Sequence, residues 1–179
     1  MNVRYLLILL TCLSLSGCVN FLPSFCPKTS VCFTPGNQCT KRIIDAVNQS
    51  KKSILVQAYI FSSKPIAQSL ITAKNRGIDV KVILDKTQIH SKYSVINELF
   101  QYKIQIWIDL KPSISHNKII IIDNQKIITG SFNFTASAEL RNAENLLIIT
   151  GNHALTEKYV ENWKERQLQS NPYTPAGKE

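Results

Sequence analysis

Long apolar runs divide the chain into predicted β-strands separated by amphipathic stretches. SILVQAYIF, which begins at Ser53, is apolar at almost every position, and IDVKVIL and NLLIIT are two further apolar runs. Runs without a polar face are typical of strands that are covered on both sides of a sheet. Ser62 or Ser63 and then Pro65 begin the stretch between the first two runs, and Gly77 ends it, which predicts a helix. This order of strand, helix and strand predicts a parallel βαβ unit.

The remaining polar and apolar pattern predicts further helices and one more strand. Thr40 is a candidate N-cap for a helix that runs to about Ser50. SKYSVINELFQY predicts a third helix and KIQIWI a third strand. NHALTEKYVENWKERQLQ predicts a terminal helix with Leu155, Tyr159 and Trp163 on one stripe. The whole pattern predicts an α/β fold, in which one mixed sheet lies between helices.

A predicted β-hairpin carries the polar residues of greatest interest. KIIII and KIIT are β-branched runs on either side of DNQK, which is rich in turn-forming residues. The period of two places His116 and Lys118 on one face of the first strand, with Ser131 and Asn133 on one face of the second. A turn centred within DNQK would put Lys118 opposite Ser131 and His116 opposite Asn133. Four polar side chains are therefore expected to converge on one patch.

These residue types suit chemistry on a phosphodiester. The imidazole of His116 can attack phosphorus, while the Lys118 ammonium, the Asn133 amide and the Ser131 hydroxyl can bind phosphoryl oxygens. Such a site requires neither a metal ion nor an organic cofactor. Gly130 has no Cβ, so we expect a phosphate to approach the backbone closely there. Asp123 ends the first strand, and turn chemistry favours a capping role for it over substrate contact.

The spacing of these residues resembles a known signature. His116, Lys118, Asp123, Gly130, Ser131 and Asn133 fill every fixed position of the HxKxxxxDxxxxxxGSxN motif of the phospholipase D superfamily. The resemblance implies a single phospholipase D-like domain in which His116, Lys118, Ser131 and Asn133 are catalytic, and it includes Asp123 among the motif residues. RNAEN resembles the family segment whose acidic residue, here Glu144, orients the nucleophilic histidine. A surface carboxylate at a helix end is the alternative for Glu144.

The resemblance extends over most of the chain and implies how the protein works. Residues 51–86 are similar to the opening of the small single-motif bacterial endonucleases of this superfamily, and the likeness covers roughly residues 30–168. Family sites use two histidines, so a chain with one motif implies a homodimer with a shared active site. The implied activity is metal-independent, nonspecific cleavage of DNA or RNA through a phosphohistidine. Phospholipid hydrolysis is the main alternative, and non-catalytic binding of nucleic acid or lipid is another.

The N-terminus is typical of a bacterial lipoprotein leader. Residues 1–17 combine a short basic start with an apolar core that is too short to span a bilayer comfortably. LSGC resembles a lipobox, in which Cys18 receives the lipid. These features predict an envelope lipoprotein in the outer membrane, facing the periplasm and anchored through its lipid. A cleaved signal peptide, which would release a secreted or periplasmic protein, is the alternative.

Residue composition predicts three further segments after the leader. A proline-containing tether is predicted over residues 18–30, followed by the catalytic domain over 31–170 and a C-terminal tail over 171–179. At 179 residues the chain is long enough for one domain with a substantial core. Its formal net charge of +9, of which Arg4 in the leader supplies one, favours polyanionic partners such as nucleic acid or an anionic membrane.

Export places the remaining cysteines in an oxidising compartment. Cys32 and Cys39 flank FTPGNQ, whose Pro-Gly turn can bring the chain back on itself. We therefore expect a disulfide between these two cysteines in preference to one that includes Cys26. A structural zinc site is the rival interpretation, although no histidine nearby has ligand spacing.

Overall fold

The computed structural model describes residues 26–175, which form one mixed β-sheet with helices on both faces. The leader over residues 1–17 and the lipidation site Cys18 lie outside the described residues. The strands, numbered in chain order, are β1 (Lys28–Thr34), β2 (Ser53–Ala58), β3 (Asp79–Asp85), β4 (Gln105–Asp109), β5 (Lys118–Ile122), β6 (Lys126–Gly130), β7 (Glu144–Thr150) and β8 (Asn171–Pro172). The helices are α1 (Cys39–Asn48), α2 (Lys64–Asn75), α3 (Ile96–Gln101), α4 (Ala136–Leu140) and α5 (His153–Leu168).

Parallel and antiparallel pairs coexist in this sheet. The strand order is β1-β7-β6-β5-β2-β3-β4-β8. Only β2, β3 and β4 pair in parallel, and β2-α2-β3 is the βαβ unit that the apolar runs predict. The other pairs are antiparallel. The predicted α/β class, with one mixed sheet and a single domain, is confirmed.

Both faces of the sheet are buried, which explains why β2 shows so little alternation. Ile54 and Val56 face the larger core, which also contains residues of α1, α2 and α3. Leu55 faces the smaller core on the opposite side, where Trp163 of α5 packs. The indole N–H of Trp163 donates to the carbonyl oxygen of Val56 at 3.0 Å, so α5 is tied to the centre of the sheet. Among the described residues, no helix is long and apolar enough to cross a membrane.

The two ends of the described chain belong to the sheet. Residues 28–30, which the sequence assigned to a tether, are part of β1, and Lys28 pairs with Thr150 of β7. Residues 171–172 were assigned to a tail but form β8, which pairs with β4. The N–H of Tyr173 also donates to the Ile106 carbonyl at 2.8 Å. Neither edge strand contains a long apolar run, and the strands they pair with are remote in sequence, so local pattern did not predict them.

The start of α1 differs from the expected one. The helix begins at Cys39, so Thr40 is not its N-cap. The Thr40 N–H instead donates to the Glu139 carboxylate of α4 at 2.6 Å. A disulfide joins Cys32 of β1 to Cys39. The start of α1 is therefore held by a remote carboxylate and a covalent link and not by a local side-chain cap.

The register of the β5-β6 hairpin differs from the expected one by one residue. The ladder pairs Ile119 with Thr129 and Ile122 with Lys126, so Lys118 does not lie opposite Ser131, nor His116 opposite Asn133. The turn contains an additional residue because Asp123 and Asn124 both adopt the left-handed conformation, with φ of 54° and 52°. This extra residue in the turn shifts the pairing that a tighter turn would have produced.

Asp123 anchors the hairpin turn to the start of β2. Its carboxylate accepts hydrogen bonds from the backbone N–H groups of Lys51, Lys52 and Ser53 at 2.9, 2.7 and 3.0 Å. Partial burial alone would raise the pKa of Asp123, but these three donors and the Lys52 charge outweigh it, so the pKa lies below its usual 3.8. Asp123 lies at the opposite end of β5 from Lys118, so its motif position serves the fold and not the catalytic patch.

We expect Asp123→Asn to destabilise the protein at neutral pH by about 1–2 kcal/mol, because an amide replaces a carboxylate that accepts three hydrogen bonds. The depressed pKa means that the carboxylate stabilises the fold above pH 3.8, and that this contribution is lost as the pH falls through the folded-state pKa. Urea unfolding of both proteins over a pH series should therefore show a stability difference at pH 7 that closes in acid. Asp45→Asn, which alters an exposed ion pair with Lys41, is the matched control and should change little. A difference that stays constant with pH would contradict the prediction.

Candidate active site

The candidate catalytic histidine is presented where β2 ends and β5 begins. His116 is exposed and lies two residues before the start of β5 at Lys118, which pairs with Ala58, the last residue of β2. The Tyr59 N–H donates to the Asn117 carbonyl at 2.8 Å, which continues the pairing past the end of the ladder. The imidazole is thus mounted on a hydrogen-bonded strand end with its ring open to solvent.

Lys118 is buried directly beneath this histidine. Only 7% of the residue is exposed, and its ammonium donates to the His116 carbonyl at 2.8 Å. Nζ also lies 5.2 Å from the centroid of the Tyr59 ring, within the range of a cation–π contact. Burial lowers the pKa of Lys118 below its usual 10.5, and the negative charge of Glu144 opposes this by raising it. The lysine is therefore a preoriented cation close to the imidazole.

Ser131 and Glu144 form a hydrogen-bonded pair on the neighbouring strands. The Ser131 hydroxyl donates to the Glu144 carboxylate at 2.5 Å and accepts from the Asn145 backbone N–H at 3.0 Å. The other carboxylate oxygen of Glu144 accepts from the Asn142 side chain at 2.9 Å. Within one chain, the described hydrogen-bond partners of Glu144 are thus Ser131 and Asn142, and the His116 ring is not among them. The expected orienting role is not formed inside a single chain.

Gly130 is required by packing and not by an approaching phosphate. Its φ is +144°, and a Cβ built there would overlap the carbonyl oxygen of Asn145 and lie 2.9 Å from the Asn145 side-chain oxygen. The space beside Gly130 that was expected to admit a phosphate is thus filled by Asn145 of β7. Because Gly130 has no Cβ, the backbone can stay close to β7 beyond the end of β6. The Ser131 N–H there donates to the Asn145 carbonyl at 3.1 Å.

Asn133 is positioned by contacts with the segment after β2 and not by pairing within the β5-β6 hairpin. After Gly130 the chain leaves β6 and runs beside the end of β2, where Phe134 forms a bridge with Phe61. The Phe134 N–H donates to the Ile60 carbonyl at 3.2 Å. The side-chain oxygen of Asn133 is buried without a hydrogen-bond partner among the described residues. Because an amide can be rotated to exchange its oxygen and nitrogen, the same position can present a donor to a phosphoryl oxygen.

Comparison with known proteins settles the family. The family profile described as "Cardiolipin synthase, PLD-like domain" matches residues 43–166. A protein from Rickettsia bellii named phospholipase D is 46% identical over 80% of this chain and 71% of its own length. The human mitochondrial cardiolipin hydrolase is 30% identical over 84% of this chain and 58% of its own length. This chain belongs to the phospholipase D-like family.

Solved structures agree with that assignment. Nuc from Salmonella typhimurium, a phospholipase D family member, superposes with a TM-score of 0.79 at 34% identity, covering 82% of this chain and 98% of Nuc. NucT from Helicobacter pylori has a TM-score of 0.77 at 23% identity and supports the fold alone. The protein is accordingly a phosphodiesterase of the phospholipase D superfamily, with a single phospholipase D-like domain.

Two residues of this phospholipase D-like site have no place in the sequence motif. The Tyr59 ring lies 4.6 Å from the His116 ring, inclined by 52°, and thus contacts both the imidazole and Lys118. The buried Asp85 carboxylate accepts the Ser115 N–H at 2.7 Å and so fixes the segment that carries His116. Both lie at the carboxyl ends of parallel strands, or directly after them, where α/β proteins commonly place functional groups. That position is the signal that would have found them.

The described residues contain no cluster of three or more His, Cys, Asp or Glu side chains with the geometry of a metal site. The polar groups near His116 are instead one ammonium, one hydroxyl and one amide, from Lys118, Ser131 and Asn133. The ammonium and the amide can donate hydrogen bonds to an anionic oxygen, whereas the single hydroxyl proton of Ser131 is donated to Glu144. The arrangement therefore suits a nucleophile placed among donors for a phosphoryl group.

Replacing Glu144 should change the pH range over which the phospholipase D-like enzyme works. The Glu144 carboxylate raises the pKa of Lys118, so Glu144→Gln removes that support and lowers the pKa further. If protonated Lys118 binds the phosphoryl group, the alkaline limb of the rate against pH moves to lower pH. Steady-state hydrolysis of a small chromogenic phosphodiester measures this shift. Glu157→Gln on the exposed side of α5 is the matched control, and an unshifted alkaline limb in Glu144→Gln would contradict the expectation.

Proposed function

We propose that the protein is an endonuclease that hydrolyses nucleic-acid phosphodiesters without a divalent metal, through a phosphohistidine on His116. The observation that supports this most strongly is the exposed His116, whose carbonyl accepts from the buried Lys118 ammonium and whose ring contacts Tyr59 together with that ammonium. An accessible nucleophile with a fixed cation beside it is what attack on a negatively charged phosphodiester requires.

In the first displacement, an unprotonated ring nitrogen of His116 forms a bond to phosphorus. The bond from phosphorus to the leaving oxygen breaks, and a second, protonated imidazole transfers its proton to that oxygen. Lys118 and the amide of Asn133 bind the non-bridging oxygens, where negative charge accumulates in the transition state.

In the second displacement, the imidazole that gave up its proton takes one from a water molecule. The water oxygen bonds to phosphorus, the bond from phosphorus to His116 breaks, and both imidazoles return to their starting states. The two rings begin in opposite protonation states, so the rate should have a bell-shaped dependence on pH.

The second imidazole is proposed to come from His116 of a second copy of the chain. One described chain carries a single histidine in the catalytic patch, since His90 lies just after the 3₁₀ turn that follows β3 and His153 begins α5. A two-fold axis through the site would supply the missing acid and give two equivalent chains. Each chain would then contribute the same nucleophile and the same binding groups.

Nucleic acid is proposed as the substrate on grounds of charge and openness. The chain carries a formal net charge of +9, which favours a polyanion. The superposition with Nuc covers nearly all of that chain, so the catalytic domain corresponds to the whole of a small family member. His116 is exposed at the end of the central strands β2 and β5, where a long substrate can pass. The sequence resemblance to small bacterial endonucleases points the same way.

Phospholipid hydrolysis is the second candidate, and one observation favours it. Relatives from Rickettsia species with 46–47% identity are named phospholipase D. The lipid anchor proposed at Cys18 would hold the active site near head groups of the envelope membrane. Metabolic labelling with a fatty acid, lost in Cys18→Ala, tests that anchor and the envelope location. Label retained in Cys18→Ala would contradict lipidation at this residue.

One comparison separates the candidates. Plasmid nicking by the purified protein in excess chelator is measured beside release of head groups from liposomes. Nicking that persists in chelator and disappears in His116→Ala supports the endonuclease. Head-group release without nicking would replace it with a phospholipase, and DNA or lipid binding without turnover of any phosphodiester would indicate a non-catalytic binder.

A further inference from the structure

A groove adjoins the catalytic patch and shares Asn133 with it. The groove has a volume of about 770 Å³ and runs from Asn133 between the loop over residues 91–95 and α4. Ile60 and Val95 contribute apolar surface to it, and hydroxyl groups such as that of Thr135 contribute polar surface. Because Asn133 belongs to both, a substrate whose phosphate lies at His116 can continue directly into this groove.

The groove carries more positive than negative charge. Lys64, Lys92 and Arg141 line it, and Glu98 is the one acidic residue among its lining residues. None of the three cations takes part in the ion pairs found among residues 26–175. Arg141 donates to the Ser137 hydroxyl, and this holds its guanidinium at the groove wall. Several cations beside one catalytic centre match a ligand that carries a negative charge on each of several units.

An exposed aromatic ring stands among these cations. Tyr93 is 71% exposed although it is one of the larger apolar side chains, and the Lys92 ammonium lies 5.0 Å from the centroid of its ring. Exposed aromatic side chains interleaved with cations form stacking platforms for the bases of single-stranded nucleic acid. A phospholipid would bring one charged head group and no planar ring for Tyr93 to contact.

We infer that this groove binds a single-stranded stretch of the substrate next to the scissile phosphate, with a base stacked on Tyr93 and neighbouring phosphates on Lys92 and Arg141. The inference rests on the proposed endonuclease function and adds a preference to it. In a duplex the faces of the bases are covered by their neighbours, so Tyr93 can stack only on an unpaired base. Single strands and locally melted sites should therefore be cleaved faster than intact duplex.

Tyr93→Ala tests the inference with three substrates. These are a single-stranded oligonucleotide, its duplex, and bis(p-nitrophenyl) phosphate, which has one phosphate and neither a nucleobase nor a flanking phosphate to occupy the groove. Removal of one stacking platform is expected to lower kcat/KM on the single strand by roughly 5- to 150-fold, the equivalent of a stacking energy of about 1–3 kcal/mol. Hydrolysis of the small diester should stay within about twofold of the parent, because Tyr93 is exposed and lies outside the catalytic patch. Tyr93→Phe keeps the ring and should restore cleavage of the single strand.

The cations are tested with a charge-matched pair of variants. Lys92→Ala/Arg141→Ala should weaken cleavage of the oligonucleotide and reduce its dependence on salt, since fewer counterions are released on binding. Lys158→Ala/Lys164→Ala removes the same charge from exposed positions on α5, outside the groove, and should leave the salt dependence much closer to that of the parent.

The other possible results of these experiments would contradict the inference. The inference is overturned if Tyr93→Ala cleaves the single strand as fast as the parent, if it loses the small diester equally, or if the parent prefers duplex. Loss of head-group release from liposomes in Tyr93→Ala, with oligonucleotide cleavage unchanged, would assign the groove to lipid instead. A parent protein that hydrolyses the small diester but no oligonucleotide would overturn the proposed function itself, and the inference with it.

Discussion

His116→Ala is expected to lower the rate of phosphodiester hydrolysis by roughly 10³-fold or more while the protein stays folded. The substitution removes the proposed nucleophile and, if two chains share one site as proposed, the proton donor as well, and each role alone is commonly worth large factors. Because the ring is exposed, its loss should change the free energy of unfolding only slightly. Chromogenic hydrolysis and urea unfolding of the same preparation measure the two effects.

His90→Ala is the matched control for this prediction. His90 is also exposed, but it lies just after the 3₁₀ turn that follows β3 and is not one of the motif residues. The chain has three histidines, so a variant that keeps only His116 should still accumulate acid-labile phosphohistidine during trapped turnover. Near-normal rates in purified His116→Ala would remove the histidine from the mechanism.

Mixed oligomers test whether two histidines share one site. If each site needs His116 from two chains, subunit exchange between the parent and His116→Ala should produce hybrids with severely reduced turnover. The activity would then fall faster than in proportion to the fraction of mutant chains. Activity that falls in simple proportion, or full activity of a strictly monomeric protein in light scattering, would exclude the shared site.

Gly130→Ala is expected to cost about 3 kcal/mol or more of stability, the range of severe core substitutions. The new Cβ would meet the backbone of Asn145, which pairs with Phe33 of β1 and cannot move away as a flexible side chain could. The φ of +144° adds backbone strain for any residue with a Cβ. Urea unfolding at neutral pH measures the loss.

Gly77→Ala separates the steric term from the backbone term. Gly77 also has a positive φ, of +88°, but a Cβ there meets nothing within 4 Å. Its replacement should therefore cost only the conformational part, about 1 kcal/mol. Equal losses in the two variants would show that the contact with Asn145 is not what requires Gly130.

The two registers of the hairpin show where sequence reasoning fails. β-Branched runs identified β5 and β6 correctly, because strand formation depends on local pattern and burial. The observed pairing of β5 with β6 is shifted by one residue from the predicted pairing. Asp123 accepts hydrogen bonds from residues 51–53, and these hold the turn in a left-handed conformation. Those donors are about seventy residues away in the chain. The sequence of the hairpin itself therefore does not indicate that these hydrogen bonds form.

The role of Gly130 also depends on a contact with a strand that the hairpin sequence does not include. Its position in the motif was clear from the sequence, but its role was not, because the atoms that exclude a Cβ belong to Asn145 on another strand. The edge strands β1 and β8 were missed for a related reason. Their residues are mostly polar or exposed, so only pairing with β7 and β4 makes them strands.

By itself, the sequence determined the α/β class, the strands of the sheet centre and the residues that carry the candidate chemistry. These follow from local periodicity and from residue types at fixed spacing, which are properties of neighbouring positions. Tertiary structure alone decided which groups meet: Tyr59 against His116, Ser131 against Glu144, and Asp123 far from the site. It did so because contacts between remote segments depend on how the whole sheet assembles, and short-range pattern contains no measure of that assembly.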